Sequence, residues 1–297
     1  MSVAVHAFTE SAAAARALAR GLGIHCDLVR VHAFPDGEPL PTVPAPPDTV
    51  IVYRSLDRPN EKLIELALAA EAWRRLGARR LVLVAPYLAY MRQDTTFQAG
   101  QAISQRAISR WLSADFDRIV TVNAHLHRTL SMADAFPRTA AVNLSAGPAI
   151  ADWLAREGVS KDTVVVGPDE ESAPLVRAAA HGLGLHWLTL SKSRSGDRDV
   201  EVRLVSGNGL HGRPAVIIDD ICSTGATLCK ALECVRNAGA AEIRLVVVHP
   251  LFDTEAEARL RAAGASTVVS TDSIPHRSNA IGLHRLLAGA LAEELDR

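Results

Sequence analysis

Val216-Ile217-Ile218-Asp219-Asp220-Ile221-Cys222-Ser223-Thr224-Gly225-Ala226-Thr227 reads as a buried, β-branched strand that ends in two carboxylates and then turns through small residues. The run Leu228–Ala238 that follows has a helical pattern. Such a turn aims several backbone N–H groups and hydroxyls at one point, and the start of the helix adds a positive field there, which makes a cradle for a phosphate. Vicinal hydroxyls need acceptors that a phosphate cradle lacks; Asp219 and Asp220 supply them, for a ribose diol or its Mg²⁺. The expectation is a strand–turn–helix unit that holds a ribose 5-phosphate. An ordinary Asp/Ser helix cap is the simpler reading, but capping alone requires neither two acids nor two threonines and a glycine in so short a span.

Outward from this unit, short β-branched runs alternate with alanine-rich helical stretches, the signature of βαβ units around a largely parallel sheet. Strands are predicted at Val3–Ala7, Val50–Tyr53, Leu81–Ala85, Ile119–Val122, Thr163–Val166, Ala215–Ile218, Leu245–Val248 and Thr267–Val269, with an amphipathic helix over Glu61–Leu76. The two halves rhyme: Gly77-Ala78, a buried strand and Pro86 are echoed by Gly239-Ala240, a buried strand and Pro250. Two similar α/β domains, 1–145 and 146–297, explain both this echo and the length of 297 residues. Between Glu38 and Asp48, five prolines predict an extended loop without regular structure. Ser191–Asp199 reads as a mobile charged loop between strands.

Lys and Arg number 32 against 33 Asp and Glu, so the chain as a whole has no polycation field, and aromatic residues at 4% offer no base-stacking surface. Nucleic acid is therefore not an expected partner. The four cysteines form no C-x-x-C pair, which fits a reduced, cytoplasmic protein. No basic segment followed by an apolar run opens the chain, and no apolar run approaches the roughly 20 residues of a membrane span. Neither export nor membrane anchoring is expected.

Several further motifs stand in a fixed order. They are Phe34-Pro35-Asp36-Gly37-Glu38, then Pro86-Tyr87-Leu88-Ala89-Tyr90-Met91-Arg92-Gln93-Asp94, Ala102-Ile103-Ser104, Val122-Asn123-Ala124-His125, Gly167-Pro168-Asp169 and Lys192-Ser193-Arg194. The segment 219–227 resembles the phosphoribosyl pyrophosphate (PRPP) loop of type I phosphoribosyltransferases. The full series, over nearly the whole chain, resembles the ribose-phosphate pyrophosphokinase (PRPP synthetase) family, and its shorter archaeal-type branch best. The resemblance implies two similar type I phosphoribosyltransferase-like domains, each a largely parallel sheet flanked by helices. It also implies transfer of the β,γ-diphosphoryl group of MgATP to the anomeric hydroxyl of ribose 5-phosphate.

On that resemblance Phe34 covers the adenine, Asp36 and Glu38 accept from its amino group and ribose, and Arg92, Gln93 and Asp94 belong to the ATP site, where a guanidinium fork suits phosphate. His125 and Asp169 ligate Mg²⁺, and Lys192 and Arg194 stabilise the transferring group. Asp219, Asp220, Ser223, Thr224, Gly225, Ala226 and Thr227 bind ribose 5-phosphate. The family assembles as dimers built into hexamers with the nucleotide site shared across subunits, so a homo-oligomer is expected. Several residues depart from the family's pattern: Asn123-Ala124 before His125, Ser223 where Asp is frequent, Thr95-Thr96 after Asp94, and Glu170-Glu171 after Asp169. Ala226 replaces a common glycine and is strained if that position has positive φ. A PRPP-consuming phosphoribosyltransferase, which needs only the 219–227 loop, and a catalytically silent regulatory homologue are the alternatives.

Overall fold

The computed structural model describes residues 2–296 apart from 97, 127–128, 130, 195–199 and 205–208, and gives the backbone alone at 192–194 and 200–204. The first half runs β1 (Val3–Phe8), α1 (Ala12–Leu22), β2 (Cys26–Ala33), β3 (Pro39–Thr42), β4 (Thr49–Tyr53), α2 (Pro59–Arg75), β5 (Arg80–Val84), α3 (Ser104–Asp115), β6 (Arg118–Val122), α4 (Met132–Ala135) and β7 (Ala140–Leu144). The second half runs α5 (Gly147–Arg156), β8 (Val164–Gly167), α6 (Ala173–His181), β9 (His186–Arg194), β10 (Val200–Leu204), β11 (Pro214–Cys222), α7 (Ala226–Asn237), β12 (Glu242–Pro250), α8 (Thr254–Ala262), β13 (Thr267–Thr271), β14 (Asn279–Ile281) and α9 (His284–Leu291).

The strands form two seven-stranded sheets in one repeated order, β3-β2-β1-β4-β5-β6-β7 and β10-β9-β8-β11-β12-β13-β14. In each, one edge pair is antiparallel (β2 with β3, β9 with β10) and the other pairs are parallel. This is the doubled α/β fold expected from the alternation. The echo at Gly77 and Gly239 falls at equivalent places, the junctions α2–β5 and α7–β12, where each glycine has positive φ (+104° and +84°) just past a helix.

Central strands are buried on both faces, as parallel strands with crossover helices must be: every residue of β4 and β6 is buried. In the first sheet this core includes Trp73 of α2, whose indole N–H donates to Nδ1 of buried His6 at 2.9 Å. Burial lowers the His6 pKa to about 4 despite Asp27 nearby, so the ring stays neutral and the contact is a neutral hydrogen bond.

Three expectations are revised. Residues 39–42 form an edge strand rather than an irregular loop, because Pro39 and Pro41 alternate with Leu40 and Thr42, which carry the N–H groups, and only one side of an edge strand needs donors. Ser191 to Arg194 belong to β9, with Arg194 opposite Val200 and Lys192 opposite Val202, so the expected loop is shorter at its start; 195–199 lie outside the described residues. The chain divides into Met1–Leu144 with His284–Arg297, and Ser145–Leu283, which returns the final segment to the first unit instead of leaving all of 146–297 in the second.

The physical reason for the return is a buried charge cluster. Glu294, fully buried, accepts from Arg80 Nε at 2.7 Å, Arg80 Nη2 at 3.0 Å and Arg118 Nη1 at 2.8 Å; Arg118 also donates to the Ala290 carbonyl at 3.1 Å. Arg80 and Arg118 open β5 and β6, so the C-terminal segment is fixed at the amino edge of the first sheet. Among the described residues no helix is long and apolar enough to cross a membrane.

Candidate active site

In the second unit β11 runs on through Asp219, Asp220, Ile221 and Cys222, paired with β12 as far as Cys222 opposite Pro250. The two carboxylates therefore sit on the strand and not past its end, which fixes them as rigidly as the sheet. Burial pushes the Asp219 carboxyl well above the usual carboxylate range, and the negative charges of Asp220 and Asp169 push the same way. The backbone N–H of Asp220 donates to Asp219 Oδ1 at 2.9 Å. Three acids thus crowd one place at the carboxyl edge of the second sheet, an arrangement that a cation or a set of hydroxyl donors would relieve.

Beyond Cys222 the chain turns through Ser223, Thr224 and Gly225 into α7. Gly225 is in the left-handed region (φ +78°) and a Cβ there would meet Leu260 at 3.4 Å, so glycine is needed at 225. Ala226 is the first residue of the helix and is unstrained, which removes the concern raised by the missing glycine at that position. Ser223, Thr224, Ala226 and Thr227 are exposed and Gly225 is buried. The open turn ahead of a twelve-residue helix leaves the first N–H groups of α7 without partners in the helix itself, the geometry an anion uses. Arg259 donates to the Thr224 carbonyl at 3.1 Å and holds the turn from behind.

Asp169 begins the short 3-10 turn Glu170–Ser172 and accepts from the Ser172 N–H at 3.2 Å. Gly167 precedes it because a Cβ there would collide with the Ser172 hydroxyl. Glu170 and Glu171 are exposed on that turn. Lys192 and Arg194 lie two residues apart on β9; their side chains lie outside the described residues.

In the first unit Phe34–Glu38 is the turn of the β2–β3 hairpin. The Phe34 N–H donates to the Glu38 carbonyl and the Gly37 N–H to the Phe34 carbonyl, each at 2.9 Å, with Gly37 at φ +93°. Phe34 is 41% exposed, and the His32 ring meets it edge-on with centroids 4.8 Å apart. Asp36 caps the turn by accepting from the Glu38 N–H at 3.2 Å.

Arg92, Gln93 and Asp94 follow β5 at the carboxyl edge; Arg92 and Gln93 are exposed and Asp94 is half-buried. Two strands, β1 and β4, stand between β2 and β5, so the hairpin and the Arg92 loop start roughly 14 Å apart.

His125, half-buried, follows β6. Its approach is tightly held: the Asn123 N–H donates to the Leu144 carbonyl at 2.8 Å, while the Asn143 amide accepts from the Ala124 N–H at 2.8 Å and donates to its carbonyl at 3.3 Å. The motifs offered no sign of Asn143, whose role is a two-ended grip on backbone from a neighbouring strand. Arg58, Tyr90 and Asn123 are the described non-glycine residues with positive φ, and all three lie in loops at this carboxyl edge.

Comparison with known proteins now decides the family. The N-terminal domain of ribose phosphate pyrophosphokinase matches residues 3–115, and the phosphoribosyl transferase domain matches 144–284. A ribose-phosphate pyrophosphokinase of Methanopyrus kandleri is 34% identical over 274 residues, covering 92% of each chain. This chain belongs to the ribose-phosphate pyrophosphokinase family. The Thermococcus kodakarensis pyrophosphokinase is 35% identical over 83% of this chain and 86% of its own. The crystal structure of phosphoribosylpyrophosphate synthetase from Mycobacterium smegmatis covers the whole of this chain and 99% of its own with a TM-score of 0.83 at 22% identity, a likeness of fold. The chain is accordingly an enzyme of the pyrophosphokinase family, with the archaeal relatives that its motifs pointed to.

Proposed function

We propose that the enzyme transfers the β,γ-diphosphoryl group of MgATP to the anomeric oxygen of ribose 5-phosphate, giving PRPP and AMP. The observation that carries the reading is the convergence of Asp169, Asp219 and Asp220 beside an open helix-start turn in the second unit, in a chain that also has the Arg92 and His125 loops in the first. The turn 223–227 takes the 5-phosphate and Asp220 accepts from the ribose hydroxyls. Arg92 and Gln93, exposed and uncommitted to the core, meet the nucleotide phosphates. Phosphoryl transfer of this kind asks for position and positive charge rather than a covalent nucleophile.

Hard oxygen donors suit Mg²⁺; among the described residues no three such side chains already close on a metal-sized site, and Asp169 in the second unit, with Asp219 and Asp220 pressing on the same charge balance, and separately His125 in the first are the candidate ligands. When bound, the ion neutralises charge on the transferring phosphates. The enzyme acts as a homo-oligomer in which Phe34 serves the nucleotide site of another copy; the exposure of its ring on the hairpin turn supports this.

The direct test is an assay of the purified protein with Mg²⁺, ATP and ribose 5-phosphate, following AMP and PRPP by chromatography with a no-sugar control. Sugar-dependent AMP and PRPP in equal amounts are expected; consumption of PRPP with a nucleobase, or no turnover at all, sinks the reading in favour of the transferase or the silent homologue. Asp220→Ala should raise KM for ribose 5-phosphate by about tenfold or more, the worth of a hydrogen bond to a charged acceptor, with KM for ATP little changed. An unaltered sugar KM would remove Asp220 from the diol site.

A further inference from the structure

The two loops that serve the first unit, 86–94 and the segment around His125, share a link that neither motif contains. Gln105, at the start of α3, is only 4% exposed. Its backbone N–H donates to the Gln93 carbonyl at 3.2 Å and its side-chain Nε2 to the Met91 carbonyl at 3.4 Å. These carbonyls bracket Arg92 and Gln93, so one residue holds the backbone on both sides of that pair. The other end of the same amide, Oε1, accepts from the Thr129 hydroxyl at 3.0 Å, four residues beyond His125. A buried amide with both ends engaged is a costly thing to rearrange, since freeing one end leaves a polar group without a partner. Tyr90, two residues before Arg92, sits at φ +66°, a conformation that persists only where its surroundings over-determine it.

We propose that Gln105 is a positioning residue that couples the Arg92 loop to Thr129 and through it to His125, so that nucleotide bound at the first slows backbone opening at the second. The inference rests on the nucleotide reading of Arg92 and Gln93 and adds to it a route by which the two loops respond together. Substrate need not touch Gln105. An amide suits the task because it carries no charge to compete for phosphate, and its donor and acceptor ends are fixed in opposite directions.

Hydrogen–deuterium exchange of the full-length protein, with and without the non-hydrolysable analogue α,β-methylene-ATP, tests this. In the wild type the analogue should slow exchange in both segments. In Gln105→Met, which keeps the length but removes both ends of the amide, slowing around His125 should be lost and KM for ATP should rise about fivefold. Thr129→Val removes only the far bond; it should lose the slowing around His125 while keeping it at 86–94, with KM for ATP within about twofold of wild type. A merely structural role would lower thermal stability without this selective loss, and should Gln105→Met fail to fold, Thr129→Val decides alone. Retained slowing around His125 in Thr129→Val would overturn the coupling while the nucleotide reading stands. No slowing at 86–94 in the wild type would overturn that reading and the coupling with it.

Discussion

Lys192→Ala should lower kcat by about three orders of magnitude and leave KM for ATP within about twofold. A cation that meets the transferring diphosphoryl group chiefly as its charge develops contributes to the transition state and little to the ground state, and charges in that role are worth roughly 10³-fold or more. The backbone register supplies a reason to expect a defined role: Lys192 and Arg194 are strand residues opposite Val202 and Val200, not points on a free loop. Arg194→Ala should act in the same direction. Steady-state kinetics in both substrates check this, and a variant whose KM for ATP collapses while kcat is unchanged would remove Lys192 from the transfer step.

The second large effect is on stability. Glu294→Ala leaves Arg80 and Arg118, whose side chains are 22% and 8% exposed, without their shared acceptor. Breaking a buried pair from one side costs about 3–5 kcal/mol, and the lower end applies here because Arg118 keeps Glu293 at 2.6 Å and Arg80 is partly exposed. For a unit of this size that is a fall of roughly 10 °C in melting temperature. Burial alone would raise the Glu294 carboxyl, but the hydrogen bonds from Arg80 and Arg118 outweigh it and hold the group below its ordinary value of 4.5. A depressed carboxyl contributes stability that is complete above the unfolded value and is lost as pH falls below 4.5 and through the native one. The stability gap between the wild type and Glu294→Gln should therefore be constant near neutrality and close in acid. Calorimetry across that range would show it, and a gap that widened on acidification would contradict the assignment.

The central strands were legible because parallel strands with helices on both faces need an apolar, β-branched centre, and β4, β5, β6, β8, β11 and β12 each carry such a run. Edge elements were not. β2 carries Asp27, Arg30 and His32 among its apolar residues, and β3 is written in alternate prolines, so both look like loop until the pairing is seen. In the site, the phosphate turn was readable from its small residues and its place after a strand. The extension of β11 through Asp219 and Asp220 was not, since nothing local says that β12 continues to pair beside it. Asn143 and Gln105 escaped notice for a different reason: each works by gripping the backbone of a distant loop through a neutral amide, and such a residue has no composition signal. The return of 284–297 to the first unit depends on charges more than 170 positions apart in sequence.

That return also sets an order of events during synthesis. The strands that carry Arg80 and Arg118 are made early, yet the carboxylate that closes over them comes only after the intervening unit, residues Ser145–Leu283, has been translated. At about 5–20 residues per second, the nascent first unit waits on the order of ten seconds with two arginines turned toward an empty seat. The second unit, contiguous in sequence, has no such wait. In the cell the part of the enzyme made first is therefore the part finished last.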